Sequence, residues 1–138
     1  VCVTFFFHVA VDPLDLHASP TRRSAGLLPD ANAALASLVT ELLEDPGADP
    51  ALLADTQRTF ATSQYYLTWL LRLEGAARQD WEPHIDNARQ TFKLLASQAE
   101  AANVGGPDLL RAQEDLESAI RLLRMDLSEL QGLPLPSQ

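Results

Sequence analysis

The stretch Trp81 to Ala102, WEPHIDNARQTFKLLASQAEAA, decides the fold class. Trp81, Ile85, Ala88, Phe92, Leu95, Ala99 and Ala102 recur at alternating steps of four and three. A helix at 3.6 residues per turn places such positions in one stripe, and a seven-residue repeat of that kind is the pattern of left-handed helix packing. The small residues Ala88, Ala99 and Ala102 in the stripe allow a neighbouring helix to approach closely. Asp80 is expected to cap this helix, with Glu82 and Pro83 in its first turn. Asn103-Val104-Gly105-Gly106 is expected to end it, because glycine takes the left-handed position that closes a helix.

Working outward, the same periodicity appears three more times. Leu109, Ala112, Leu116, Ala119, Leu123, Leu127 and Leu130 form a seam on a helix expected from Pro107 to about Gln131, irregular only between Leu123 and Leu127. Upstream, Asp49-Pro50 is a cap followed by a proline at the first helical position, where its missing amide proton costs nothing. Leu53, Thr56, Phe60, Ser63, Leu67 and Leu70 then mark a helix expected to pass through Gly75 and reach Arg78 or Gln79. A shorter helix is expected from Asp30, with Ala31, Leu35, Leu38 and Leu42 inward, ending at Asp45-Pro46-Gly47.

Helices joined by so few residues must run antiparallel to their neighbours. The expectation is an all-α protein: an antiparallel, left-handed, up-down four-helix bundle over 30–132. Residues 1–29 are expected to be an irregular N-terminal arm and linker, and 133–138 an extended tail. Within the arm, 12–29 carries three prolines and no apolar period, hence the linker. Val1 to Val11 (VCVTFFFHVAV) reads as a strand-like or irregular strip packing on the bundle, with a truncated export signal as the alternative. A cytoplasmic location is favoured, with export left open by that segment.

Bulk composition limits the function classes. The 138 residues suffice for one domain and one core. Nineteen acidic residues against ten basic ones give a net charge of −9. A duplex-binding protein needs a basic stripe to displace phosphate counterions, so nucleic acid is not an expected partner. The acids Asp30, Glu41, Glu44, Asp45 and Asp49 fall in a run free of bases, the mark of a solvated face or of a surface that meets a basic partner. A single cysteine, Cys2, supplies neither an internal disulfide nor a ligand cluster.

Chemistry is sparsely marked. Metal sites in helical bundles need inward carboxylates and a Glu-x-x-His step, which the chain lacks, so no metal and no cofactor are expected. Glu41 with Glu44 and Glu114 with Glu117 resemble the paired acids of all-α nucleotide pyrophosphohydrolases, but further paired acids are missing, and solvated faces are the preferred reading. Arg78 and His84, in RQDWEPH, are spaced as in the HEPN class of small helical ribonucleases, which they resemble over seven residues. That resemblance implies phosphate-charge stabilisation by Arg78 and proton transfer by His84. An apolar-ligand carrier, with a pocket lined by Phe60, Trp81 and Phe92, is a further alternative.

The most unusual segment is Tyr65 to Leu73, YYLTWLLRL, in which only Thr68 and Arg72 interrupt the apolar character. A helix with one core stripe does not need apolar residues all round. Leu67 and Leu70 fall on the seam, which leaves Tyr65, Tyr66, Trp69 and Leu73 needing cover. Phe5, Phe6 and Phe7 could supply it. Otherwise the four residues mark a contact with another protein or with a second copy, since Tyr and Trp are favoured interface anchors. The leading expectation is therefore a non-enzymatic helical bundle acting through protein–protein interaction.

Overall fold

The computed structural model describes residues 20–102 and 106–132, with the backbone alone for 20–26. The N-terminal strip, its phenylalanines, and the proline-bearing tail lie outside the described residues. Every regular element among those described is a helix: α1 Pro20–Glu44, α2 Pro50–Leu73, α3 Arg78–Ala101, α4 Pro107–Arg124 and α5 Leu127–Gly132. The fold is an all-α helical bundle. Its contacts divide the chain into two compact units, Val1–Ser63 and Gln64–Gln138, the division falling inside α2.

The first unit pairs α1 with the N-terminal part of α2. Between them, Asp45 accepts from the Gly47 amide at 2.8 Å and its carbonyl accepts from Ala48 at 3.1 Å, closing a tight turn. Asp49 then caps α2 through the Ala51 amide at 3.1 Å, with Pro50 at the first helical position as the sequence required. Asn32 donates to the Ser63 hydroxyl at 2.8 Å and sets the register of the two helices. Two expectations are corrected here. Residues 20–29 are not linker: α1 starts at Pro20 and continues through Pro29. Proline's fixed φ is itself helical, so the helix can continue through Pro29, at the cost of one backbone bond and a clash with the carbonyl four residues back, together about 3 kcal/mol. Leu38 is 42% exposed, while Leu35 is buried and Val39 is half-buried in its place.

In the second unit, α3 and α4 pack against each other. Trp81, Ile85, Ala88, Phe92 and Leu95 are buried as the heptad pattern required, joined by Ala96, whereas Ala99 is half-buried and Ala102 exposed. The helix starts at Arg78 after the extended residue Ala77, with no side-chain cap, so Asp80 lies in its first turn rather than ahead of it. Pro83 consequently sits inside the helix. Gly106, at φ +125°, leads into α4 with Pro107 first.

The α2 terminus also differs from expectation. Gly75 is not helical; at φ +78° it ends the helix. Its amide bonds to the Arg72 carbonyl at 3.1 Å, and the Ala76 amide bonds to Leu71 at 2.9 Å. This crossed pair satisfies carbonyls that the helix end leaves open, and it requires a left-handed residue. No atom would obstruct a Cβ there, so the backbone alone selects glycine. Gly75→Ala is expected to cost about 1–2 kcal/mol, read as a lower midpoint in urea unfolding with an unchanged slope.

Candidate interaction surface

The buried side of α2 is unusually polar. Thr56, Ser63, Gln64, Thr68 and Arg72 are all buried, and Gln64, Thr68 and Arg72 stand at every fourth residue. The hydroxyls are satisfied within the helix: Thr56 donates to Leu52, Ser63 to Phe60 and Thr68 to Gln64, at 2.7–2.8 Å. A hydroxyl that bonds the carbonyl one turn back needs nothing from a neighbouring helix, so the hydroxyls face inward at little cost, whereas the buried Gln64 Oε1 finds no partner among the described residues.

The four residues singled out in YYLTWLLRL fare differently. Trp69 is 6% exposed and already covered within the chain. Its indole Nε1 has no hydrogen-bond partner among the described residues. Tyr65 and Tyr66 are half-buried, and Leu73 is exposed. The rings form one cluster: Tyr65 meets Tyr66 edge-on with centroids 5.6 Å apart, and meets Trp69 at 6.2 Å. Burial, reinforced by Tyr66, pushes the Tyr65 phenol above its ordinary pKa against the opposing pull of Arg121. It therefore stays protonated, able both to donate and to accept. Leu67 is buried on the seam as expected, and Leu70 is half-buried.

The other expected residues are placed as follows. Arg78 is exposed and donates to Glu82 at 2.6 Å, a pairing that raises the arginine and lowers the carboxyl pKa. His84 is half-buried six positions further along α3, about 120° away around the helix axis. The helix does not bring the two side chains together. Trp81 and Phe92 are core residues of the second unit, while Phe60 is half-buried in the first. Glu41, Glu44, Glu114 and Glu117 are exposed, and Glu117 pairs with Arg121 at 3.3 Å. Among the described residues no three His, Cys, Asp or Glu side chains gather as metal ligands.

What the periodicity did not disclose is Arg72. In the sequence it only interrupts an apolar run, yet it is 8% exposed. Its guanidinium donates to the Leu122 carbonyl at 2.5 Å and to the Met125 carbonyl, and lies 4.7 Å from the centre of the Trp81 ring. Burial pulls its pKa down and Asp126 pulls it back up, but an arginine remains charged in a protein. The carbonyls it meets are those freed where α4 stops. The helix expected to run to Gln131 breaks at Met125, which is extended at ψ 139°. Asp126 restarts it: its carboxylate accepts from the Glu129 amide at 2.8 Å, and Glu129 accepts from the Asp126 amide at 2.9 Å. This is a reciprocal capping box. Within α4 it is Leu122, three residues after Ala119, that is buried rather than the expected Leu123; beyond the break Leu130 is buried as expected, while Leu127 is 44% exposed.

No protein-family model matches the chain, and no curated protein or solved structure does either. No helix among the described residues is long and apolar enough to cross a membrane.

Arg72→Met removes two charge-assisted bonds and strands two carbonyls, and is expected to destabilise the protein by about 3 kcal/mol in denaturant unfolding. The Asp126 carboxyl is held below the usual carboxylate range, chiefly by the Glu129 amide and the Ser128 hydroxyl, with Arg72 adding to them. A depressed acid lends stability above its unfolded pKa, about 3.9, and loses it as pH falls through the lower folded value. Asp126→Asn keeps the cap but not the charge, so thermal midpoints of the variant should fall less steeply below about pH 4 than those of the parent.

Proposed function

We propose that this protein acts by binding another protein, with a second copy of the chain as the first partner to test, through the outer side of α2 around Tyr65, Tyr66 and Leu73. The observation that carries this reading is the half-exposed, edge-to-face tyrosine pair resting on the buried Trp69 ring. Tyrosines held in place by a neighbouring ring lose little rotamer freedom on binding, and each offers a broad apolar face with a polar tip. Exposed Leu73 extends the apolar surface towards the end of the helix.

Trp69 contributes to this surface as a support. Replacing it by alanine would open a hole in the second unit and confuse loss of binding with loss of folding. Tyr66→Ala and Leu73→Ser act on exposed area and leave that support in place.

Sedimentation equilibrium of the parent over a wide concentration range is expected to show self-association. Tyr66→Ala combined with Leu73→Ser should weaken it by about tenfold or more, roughly 1.4 kcal/mol, with helical circular dichroism unchanged. A parent that is monomeric throughout, and that retains the same set of proteins on an immobilised column as the double variant does, would sink the proposal.

A further inference from the structure

We infer that α4 and α5 are two halves of one bistable helix, bent in this structure and locked in the bend by Arg72. Nothing in the local sequence demands the break. From Asp108 to Gln131 the chain holds neither proline nor glycine, and the helical periodicity runs on across the gap. The break spans Met125 and Asp126, with Met125 at ψ 139° where a helix has about −42°. On either side the helical pattern is intact. The Met125 amide still bonds the Arg121 carbonyl at 2.9 Å, and the Leu130 amide bonds the Asp126 carbonyl at 3.1 Å.

The bend and a straight helix compete for the same four backbone groups. A continuous helix would bond the Asp126 amide to the Leu122 carbonyl and the Glu129 amide to the Met125 carbonyl, each four residues back. Here Arg72 donates to both carbonyls, while the two amides go to the side chains of Glu129 and Asp126 at 2.9 and 2.8 Å. Straightening would return all four groups to the helix, so they are satisfied in either form. What separates the two forms lies outside the backbone. On straightening, Arg72, 8% exposed, loses both acceptors, and Leu130, 1% exposed, leaves the core. A buried cation without acceptors is costly, so the bend holds while the guanidinium keeps those carbonyls. In the straight form Leu123, Leu127 and Leu130 fall in one stripe at steps of four and three. Release of Arg72 and display of that apolar stripe are thereby one event, a discrete rearrangement of packed elements.

Distances between two spin labels on the full chain, measured by pulsed electron paramagnetic resonance, read the bend. The labels go on Leu110→Cys and Gln131→Cys, both exposed positions, in a Cys2→Ser background. Twenty-one residues of straight helix span about 32 Å between Cα atoms, and the bent form brings the two ends closer. The parent is expected to give one distance shorter than the straight length. Asp126→Ala with Glu129→Ala removes the side-chain acceptors and places good helix formers at the break. Arg72→Met removes the donors. Each should raise the straight population at least about tenfold over the parent's. Asp126 and Glu129 are exposed, so the alanine pair remains informative if Arg72→Met does not fold. Leu127→Pro is the counter-test. Proline suits the first position of α5 but not the interior of a continuous helix, so adding it to either variant should restore the shorter distance. A short distance in the alanine pair, a broad spread in place of a peak at the straight length, or a long distance that survives Leu127→Pro overturns the inference.

Discussion

The second unit depends on one buried cation. The Arg72 guanidinium reaches from the last turn of α2 to the carbonyls of Leu122 and Met125, with the Trp81 ring beside it. Burying a charge is expensive unless it is paired and hydrogen-bonded. Here the partners are carbonyls at the C-terminus of α4, which carries the negative end of that helix's dipole. Each side resolves the other's difficulty. The arginine needs acceptors where it is largely shielded from solvent, and the broken helix needs donors for its freed carbonyls. Asp126, the carboxylate nearest in effect, completes the charge balance from the far side of the break.

From that constraint the rest of the unit follows. Because the chain can break after Arg124, α5 starts afresh on its own capping box, and Leu130 returns to the core. The change of phase after Leu122 leaves Leu127 exposed. The end of α2 has to be sharp for the chain to lead into α3 with Trp81 alongside Arg72, and Gly75 makes it sharp. Along α2 the inward side is occupied by hydroxyls that bond their own helix, and the large aromatic residues are distributed to its flanks. The proposed interaction surface lies beside this packing, where Tyr65 and Tyr66 are half-buried next to the buried Trp69.

Much of this was legible beforehand, and for local reasons. The α3 seam from Trp81 to Leu95 was visible because every residue in it is apolar and the spacing is regular. The cap at Asp49-Pro50 was visible because proline and aspartate have strong positional chemistry. Other readings failed through the same local logic. Pro29 looked like a boundary, but a proline only penalises a helix and does not forbid it. Gly75 looked like a weak helical residue, although its left-handed conformation closes the helix. Leu38 and Leu127 were placed on seams by spacing alone, and both are exposed. The irregular step between Leu123 and Leu127 was a true signal whose meaning could not be read from spacing, since a skipped phase and a broken helix leave the same trace.

The amino-acid sequence by itself determined that this protein is helical, where most of its helices lie, and which side of α3 turns inward. These depend on periodicity and on backbone preferences that act within a few residues. Only the tertiary structure decided that Arg72 is interior and that Trp69 is covered while its neighbouring tyrosines are only half-buried. The place of Arg72 depends on what other segments present: a carbonyl fifty residues away and a ring from the next helix. No local pattern encodes such a meeting, because its energy exists only once both partners have arrived.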